Sequence, residues 1–190
     1  MFRTLLAVYS RITNRLSLAI VASVTLLFSF FLVPAVYGQL TNGGLPCKAL
    51  DTFFAYTPEQ AKMVLACFGP LLAKYRLIEL TLDLVYPVVY SLFFSMVLTA
   101  LARNSPRLLN LLQYLLLFPI FAWFFDLLEN ASISVLIAQY PDFPPILAQI
   151  ASLSTSLKWI CVGLNVLIII GLGLYRAVWA VKNHFFSYPR

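Results

Sequence analysis

The chain has 190 residues, of which 62% are hydrophobic and 11% charged, where a soluble globular protein carries about 45–50% and about 25%. So small a body cannot bury that much apolar surface within itself, and a bilayer is expected to cover it. The composition excludes a disordered chain and a disulfide-dense secreted scaffold. It also excludes a nucleic-acid-binding domain, which would gather its basic charge into a polar groove.

A membrane span needs about 20 mainly apolar residues, because a helix rises about 1.5 Å per residue through a core about 30 Å thick. Four stretches qualify in chain order: residues 16–37, 77–101, 108–138 and 153–175. They predict an all-α fold, a polytopic four-helix membrane bundle in which residues 1–190 form one integral membrane domain. The first stretch also resembles a secretory signal, with Gly38 at a possible cleavage point. Its apolar run is longer than the roughly 7–15 residues of such a signal, and a basic segment precedes it, so a retained helix is expected.

The loop between spans one and two, residues 38–76, opens with the turn formers Thr41-Asn42-Gly43-Gly44 and Pro46. Thr57-Pro58-Glu59-Gln60 then has the form of a helix start: a threonine cap, proline at the first helical position, and Gln60 where a capping box wants Glu or Gln. A short helix over 61–68, broken at Gly69-Pro70, is predicted to lie on the membrane surface or cap the bundle. Cys47 and Cys67 share this loop, where an oxidising compartment permits a disulfide. Cys161 falls within the fourth span as a packing residue.

Lys and Arg in short loops stay on the cytoplasmic side. Arg3, Arg11, Arg15, Arg103, Arg107, Arg176, Lys182 and Arg190, eight of the thirteen basic residues, fall on one side of the predicted topology. Both termini are therefore expected in the cytoplasm, with the 38–76 loop outside. The net charge of +6 then reflects topology and contact with anionic lipid, with no nucleic-acid partner implied. His184 belongs to the basic tail, as a solvated side chain.

None of the seven acids lies in a cytoplasmic segment. Glu79 and Asp83 are about one and two turns below the outer end of the second span. Asp126, Glu129 and Asn130 are about 10–16 Å from the outer end of the third. Lys158 lies a turn or two inside the fourth, with Asn165 deeper. Glu79, Asp83, Tyr86 and Tyr90 form one helical stripe, and Asp126, Glu129 and Asn130 another; Thr155, Lys158 and Asn165 share a face. A charge facing lipid costs roughly 2.5–3.5 kcal/mol, so these faces should turn inward. Pro87 and Pro119 are expected to kink their helices and free carbonyls.

Such a cluster reads in two ways. Lys158 with one carboxylate and hydrogen-bonded neighbours is polar glue between helices. Yet glue needs few groups, and four acids against one lysine is an excess that suits a binding or catalytic pocket. Paired carboxylates in unlike surroundings serve as general acid and base. Oxygen ligands without histidine would suit only Mg²⁺, Ca²⁺ or Mn²⁺, and neither a metal nor another cofactor is expected. With the lone histidine on the opposite side, a nucleophilic triad and haem are disfavoured. Asn130-Ala131-Ser132 matches the glycosylation pattern but lies inside a span.

Asp51 through Tyr56-Thr57, Asp83-Leu84-Val85-Tyr86-Pro87 with Tyr90, and Phe125-Asp126-Leu127-Leu128-Glu129-Asn130 resemble strings in a group of uncharacterised bacterial four-helix integral membrane proteins. The likeness covers roughly residues 50–165 and implies a bacterial inner (plasma) membrane but no activity. A looser architectural analogy is to the EXPERA proteins, which also hold carboxylates in an intramembrane pocket. The expectation is an acidic pocket, open to the outer leaflet, that binds an amphiphilic membrane lipid or isoprenoid and converts it by acid–base chemistry. Glu79, Asp83, Asp126 and Glu129 are its candidate acid–base groups, Lys158 the counter-ion, and Asn130, Tyr86 and Tyr90 the orienting donors. The rival is a non-catalytic accessory or assembly subunit of a larger membrane complex. A proton or ion pathway ranks lowest, since the inner halves offer mainly Asn110, Gln113 and Tyr114.

Overall fold

The computed structural model describes residues 2–42, 45–103 and 105–186. Gly43-Gly44 of the expected turn, Arg190 and the side chain of His184 lie outside what is described. The fold is helical: α1 (Phe2–Ile12), α2 (Arg15–Leu27), α3 (Val33–Tyr37), α4 (Pro58–Phe68), α5 (Leu72–Glu79), α6 (Leu82–Ala102), α7 (Pro106–Leu115), α8 (Leu117–Ala138) and α9 (Pro145–Phe186). A two-residue antiparallel ladder joins Thr41–Asn42 to Leu45–Pro46. Four stretches are long and apolar enough to cross a membrane: Arg15–Tyr37, Pro58–Ala102, Pro106–Ala138 and Pro145–Lys182.

Local chemistry sets most boundaries. Asn14 and Ser17 form a reciprocal capping box at the start of α2, satisfying two otherwise orphaned N–H groups. Thr57 and Gln60 do the same for α4, with Pro58 at the first helical position, as expected. Ser105 caps α7, again ahead of a proline. Gly69 ends α4 with φ at +48°, a conformation that side chains bearing a Cβ rarely adopt.

The expected spans are less continuous than their hydropathy suggests. A π turn over Phe28–Leu32, with the Val33 N–H donating to the Phe28 carbonyl, accommodates Pro34 between α2 and α3. The second span is broken at Leu80 and Thr81, where the Thr81 hydroxyl donates to the Leu77 carbonyl (2.6 Å) and the Thr81 N–H turns to Ile78. Glu79 thus closes α5 while Asp83 lies in the first turn of α6. The single stripe expected through both is therefore two shorter ones. The third span is interrupted at Leu116, because Pro119 has no N–H to offer the Leu115 carbonyl. The fourth is the longest helix, 42 residues, beginning at Pro145 rather than near residue 153.

Packing separates two ends and a middle. The disulfide end joins Leu50, Leu65, Phe68, Tyr75, Ile133, Leu136, Phe143 and Ala148 in one buried cluster. Here α4 packs against α9, with its Ala61, Leu65 and Phe68 buried in that cluster. At the basic end, Leu98, Ala102, Leu112, Leu115 and Leu116 form a second cluster, with Leu6 and Tyr9 of α1 against it. Between them lie Tyr90, Ala122 and Cys161. The α8–α9 pair makes the most extensive helix contact.

Candidate functional site

The loop before α4 brings the first element of the site. A Cys47–Cys67 disulfide ties it to α4. The Leu50 N–H donates to the Tyr75 hydroxyl (3.0 Å), and the Tyr56 N–H to Ser152 Oγ (2.8 Å). From α9, Ser156 Oγ donates to the Phe54 carbonyl (2.7 Å) and Trp159 Nε1 to the Asp51 carbonyl (3.1 Å). These bonds hold residues 47–56 against α9 and fix Asp51 above the polar groups of the other helices.

Those groups converge. The Lys158 ammonium is in direct contact with Glu129 and 3.7 Å from Asp126. Tyr90 donates to Asp126 Oδ2 (2.7 Å), and Thr155 to Glu129 Oε1 (2.6 Å). The Tyr37 hydroxyl lies between two acids, 2.8 Å from Asp83 Oδ2 and 3.3 Å from Asp51 Oδ2. Asn130 Nδ2 donates to the Asp83 carbonyl at 2.5 Å. That carbonyl is the one Pro87, four residues on, leaves without its helical donor. The expected freed carbonyl is present, and the neighbouring helix satisfies it.

A cavity of about 490 Å³ opens beside these groups. Asp51, Asp83, Asp126, Asn130 and Lys158 supply its polar wall, and Tyr86, Tyr90, Pro87, Phe93, Phe94, Trp159 and Val162 its apolar one; Thr25, Ser29 and Val33 close the side toward α2 and α3. Burial pushes the Asp51 carboxyl above the usual carboxylate range, and Lys158 opposes that shift only in part.

Of the sequence-selected residues, Asp83, Asp126, Asn130, Lys158, Tyr86 and Tyr90 line the cavity. Glu129 stands behind it as the contact partner of Lys158, fully buried. Glu79 is also fully buried, off the cavity wall, and neither of its carboxyl oxygens has a hydrogen-bond partner among the described residues. Tyr86 turns its hydroxyl to Ser29 (2.8 Å) and away from the carboxylates, stacking on Phe28. Four contributors were not selected as site residues: Tyr37, Asp51, Thr155 and Trp159. The Cys47–Cys67 pair was the available signal for Asp51, since a bridge there draws the loop onto the helices. No described His/Cys/Asp/Glu group has the arrangement of a metal site.

No family model matches the sequence, and neither a curated protein nor a solved structure matches it.

Proposed function

We propose that the chain is a four-helix bundle of a bacterial inner membrane, with both termini cytoplasmic, whose cavity binds an amphiphilic lipid or isoprenoid from the outer half of the bilayer. Acid–base conversion of that ligand is the chemistry the wall offers. The observation that carries the reading is the composition of the cavity. An aromatic and aliphatic wall faces a small set of placed polar groups, which is the usual make-up of a small-molecule site. Two helices, α6 and α8, and a disulfide-tied loop contribute carboxylates to it, more than are needed to neutralise Lys158.

In this reading the loop 47–56 and α4 form the outer cap. Asp126 and Asp83 face the ligand headgroup, Tyr90 and Asn130 hold them in place, and the apolar wall takes the chain. Lys158 and Glu129 neutralise one another and keep the polar wall compact. Residues placed by hydrogen bonds beside a cavity are suited to proton transfer when their surroundings differ. Asp126 has a phenol and an ammonium beside it, Asp83 a phenol alone.

Asp126→Asn tests the site. It keeps the shape of the side chain and leaves Lys158 paired with Glu129, so the variant should fold. Native mass spectrometry of the purified protein should show the copurifying lipid lost. A folded Asp126→Asn protein with its bound lipid unchanged overturns the pocket, and copurification with other chains at fixed stoichiometry would then favour the accessory-subunit role. Orientation is tested separately: a cysteine at position 48 or 142 should label from outside, and one at position 103 should not.

A further inference from the structure

Residues 1–50, 84–125 and 143–190, which supply the basic end, hold no Asp or Glu. The arginines there have no carboxylate of this chain to neutralise them, and two of them share a cavity. It measures about 350 Å³ and lies between Ser105–Arg107 at the start of α7 and Tyr175, Arg176 and Trp179 of α9. Arg103, four residues before Arg107, donates to the Ser10 carbonyl (3.3 Å). Arg107 has no such partner among the described residues, and Arg176 only sets its guanidinium over the Trp179 ring, 5.7 Å from the centroid. Stacking uses the flat face of a guanidinium and leaves the N–H groups in its plane free to donate.

The depth of this cavity follows from two uncharged runs. Asp126 and Lys158 lie 3.7 Å apart and so stand at one level. Residues 108–125 carry no charge between Arg107 and Asp126, and residues 159–175 carry none between Lys158 and Arg176. At about 1.5 Å per residue each run covers roughly 26 Å, close to the thickness of the hydrocarbon core. Both arginines thus reach the same edge of the apolar layer, with Tyr175 and Trp179 as the amphipathic rings usual at headgroup level.

We propose that this cavity binds the headgroup of an anionic phospholipid, with its phosphodiester held between Arg107 and Arg176 and its glycerol region against Tyr175 and Trp179. Planar guanidinium groups match the oxygen geometry of a phosphate, and basic pockets between helices at a membrane surface are headgroup sites. A zwitterionic headgroup would bring an ammonium group among basic side chains, with no carboxylate to receive it. A headgroup without a cation, such as that of phosphatidylglycerol, meets no such cost. The site is separate from the acidic cavity and does not rest on what that cavity binds.

The test uses the full chain in a non-ionic detergent, titrated with phosphatidylglycerol and with phosphatidylcholine of the same acyl chains, and bound lipid is counted by native mass spectrometry. The wild type should bind phosphatidylglycerol about fivefold or more tightly, the scale of one basic residue at an anionic surface. Arg107→Gln and, independently, Arg176→Gln should each remove most of that preference. Neither side chain belongs to a buried cluster, so both variants should fold, which their melting curves check. Arg11→Gln removes the same charge from an exposed position of α1 outside the cavity, and it should leave the preference unchanged.

Equal binding of the two lipids by the wild type overturns the site, as does a preference that persists in both cavity variants. A loss in Arg11→Gln as large as theirs would mean diffuse attraction by the whole basic end, and it overturns the cavity as the binding site. Inorganic phosphate is the third probe. If it raises the melting temperature of the wild type and displaces phosphatidylglycerol, and does neither in Arg107→Gln, the occupant is a free phosphate and the lipid assignment is overturned.

Discussion

Toward the disulfide end of the molecule, α8 and α9 meet through the Lys158 ammonium on Glu129 and Asp126 and through Thr155 on Glu129, while two tyrosines and an asparagine tie α3, α6 and α8 together. At the basic end Leu98 of α6, Leu112 and Leu115 of α7 and the adjoining Leu116 pack together, with Ile168, Ile169 and Leu172 of α9 against them. One chain thus uses two kinds of cohesion along the same helices. The leucine cluster needs only shape and tolerates exchanges that keep volume. The polar end needs partners: each group there was removed from water and is held only while its neighbours remain. The polar end is also where the chain adds a disulfide and a stitched loop. An end that satisfies itself by packing has no need of such ties. An end that keeps a cavity beside buried charges does.

The largest effect expected from breaking this contrast is at Lys158. Lys158→Met strands Glu129 and Asp126 and should cost about 3–5 kcal/mol of unfolding free energy, the usual cost of removing one partner of a buried pair. Replacing Lys158 and Glu129 together, by Met and Leu, should recover most of that loss. Denaturant titration of the detergent-solubilised variants measures both. A single variant as stable as wild type would mean that the polar end, like the leucine end, is held by packing alone.

Next in size is the bridge. The disulfide closes a segment of 20 residues, and replacing Cys47 and Cys67 by serine should cost about 2–4 kcal/mol. The contrast predicts where the loss is felt. Hydrogen exchange should quicken in residues 47–56, whose backbone is tied to Tyr75, Ser152, Ser156 and Trp159. It should be unchanged in α7. Equal quickening at both ends would show that the two are not separable.

A smaller effect isolates one hydrogen bond. Asn130→Ala leaves the Asp83 carbonyl without a donor and should cost about 1–3 kcal/mol. Adding Pro87→Ala supplies a backbone N–H four residues on from that carbonyl, so the double variant should be more stable than Asn130→Ala alone. Strict additivity of the two changes would show that proline and asparagine are not energetically coupled.

How much of this was legible in the sequence follows from what each feature depends on. Apolar length marks the four candidate spans, and capping chemistry marks the start of α4, because both are local properties of the chain. The convergence of Asp126, Asn130 and Lys158 was legible too, since a costly charge on an apolar helix can face only one way. The breaks at Thr81 and Leu116 were not. Each is a choice between hydrogen-bond partners for one or two backbone groups, and hydropathy does not register it. Asp51 and Tyr37 were missed for a different reason. Each stands near the edge of an apolar stretch, where a polar residue is unremarkable, and only the path of the loop carries Asp51 back over α9. Glu79 was placed on the wrong stripe by assuming an unbroken helix.

The smallest effect expected is a dependence on pH that separates Asp51 from acids in water. Its surroundings are Tyr37, Glu79, Asp83, Asp126, Glu129, Lys158 and the indole of Trp159, and burial raises its carboxyl above the ordinary carboxylate value despite the lysine. A group that binds its proton more tightly when folded loses native stability as pH rises from its unfolded value, about 3.9, through its folded one. Asp51→Asn has no proton to lose at this position. The variant should therefore gain on the wild type as pH is raised from about 4 toward neutrality. The acids around it feel the charge of Asp51, so the difference between the two melting curves, taken at each pH, reads Asp51 together with its coupling to them. A difference that shrinks on raising the pH would mean that attraction to Lys158 outweighs burial. Asp51 would then belong with the neutralised ion cluster rather than with the wall of the cavity.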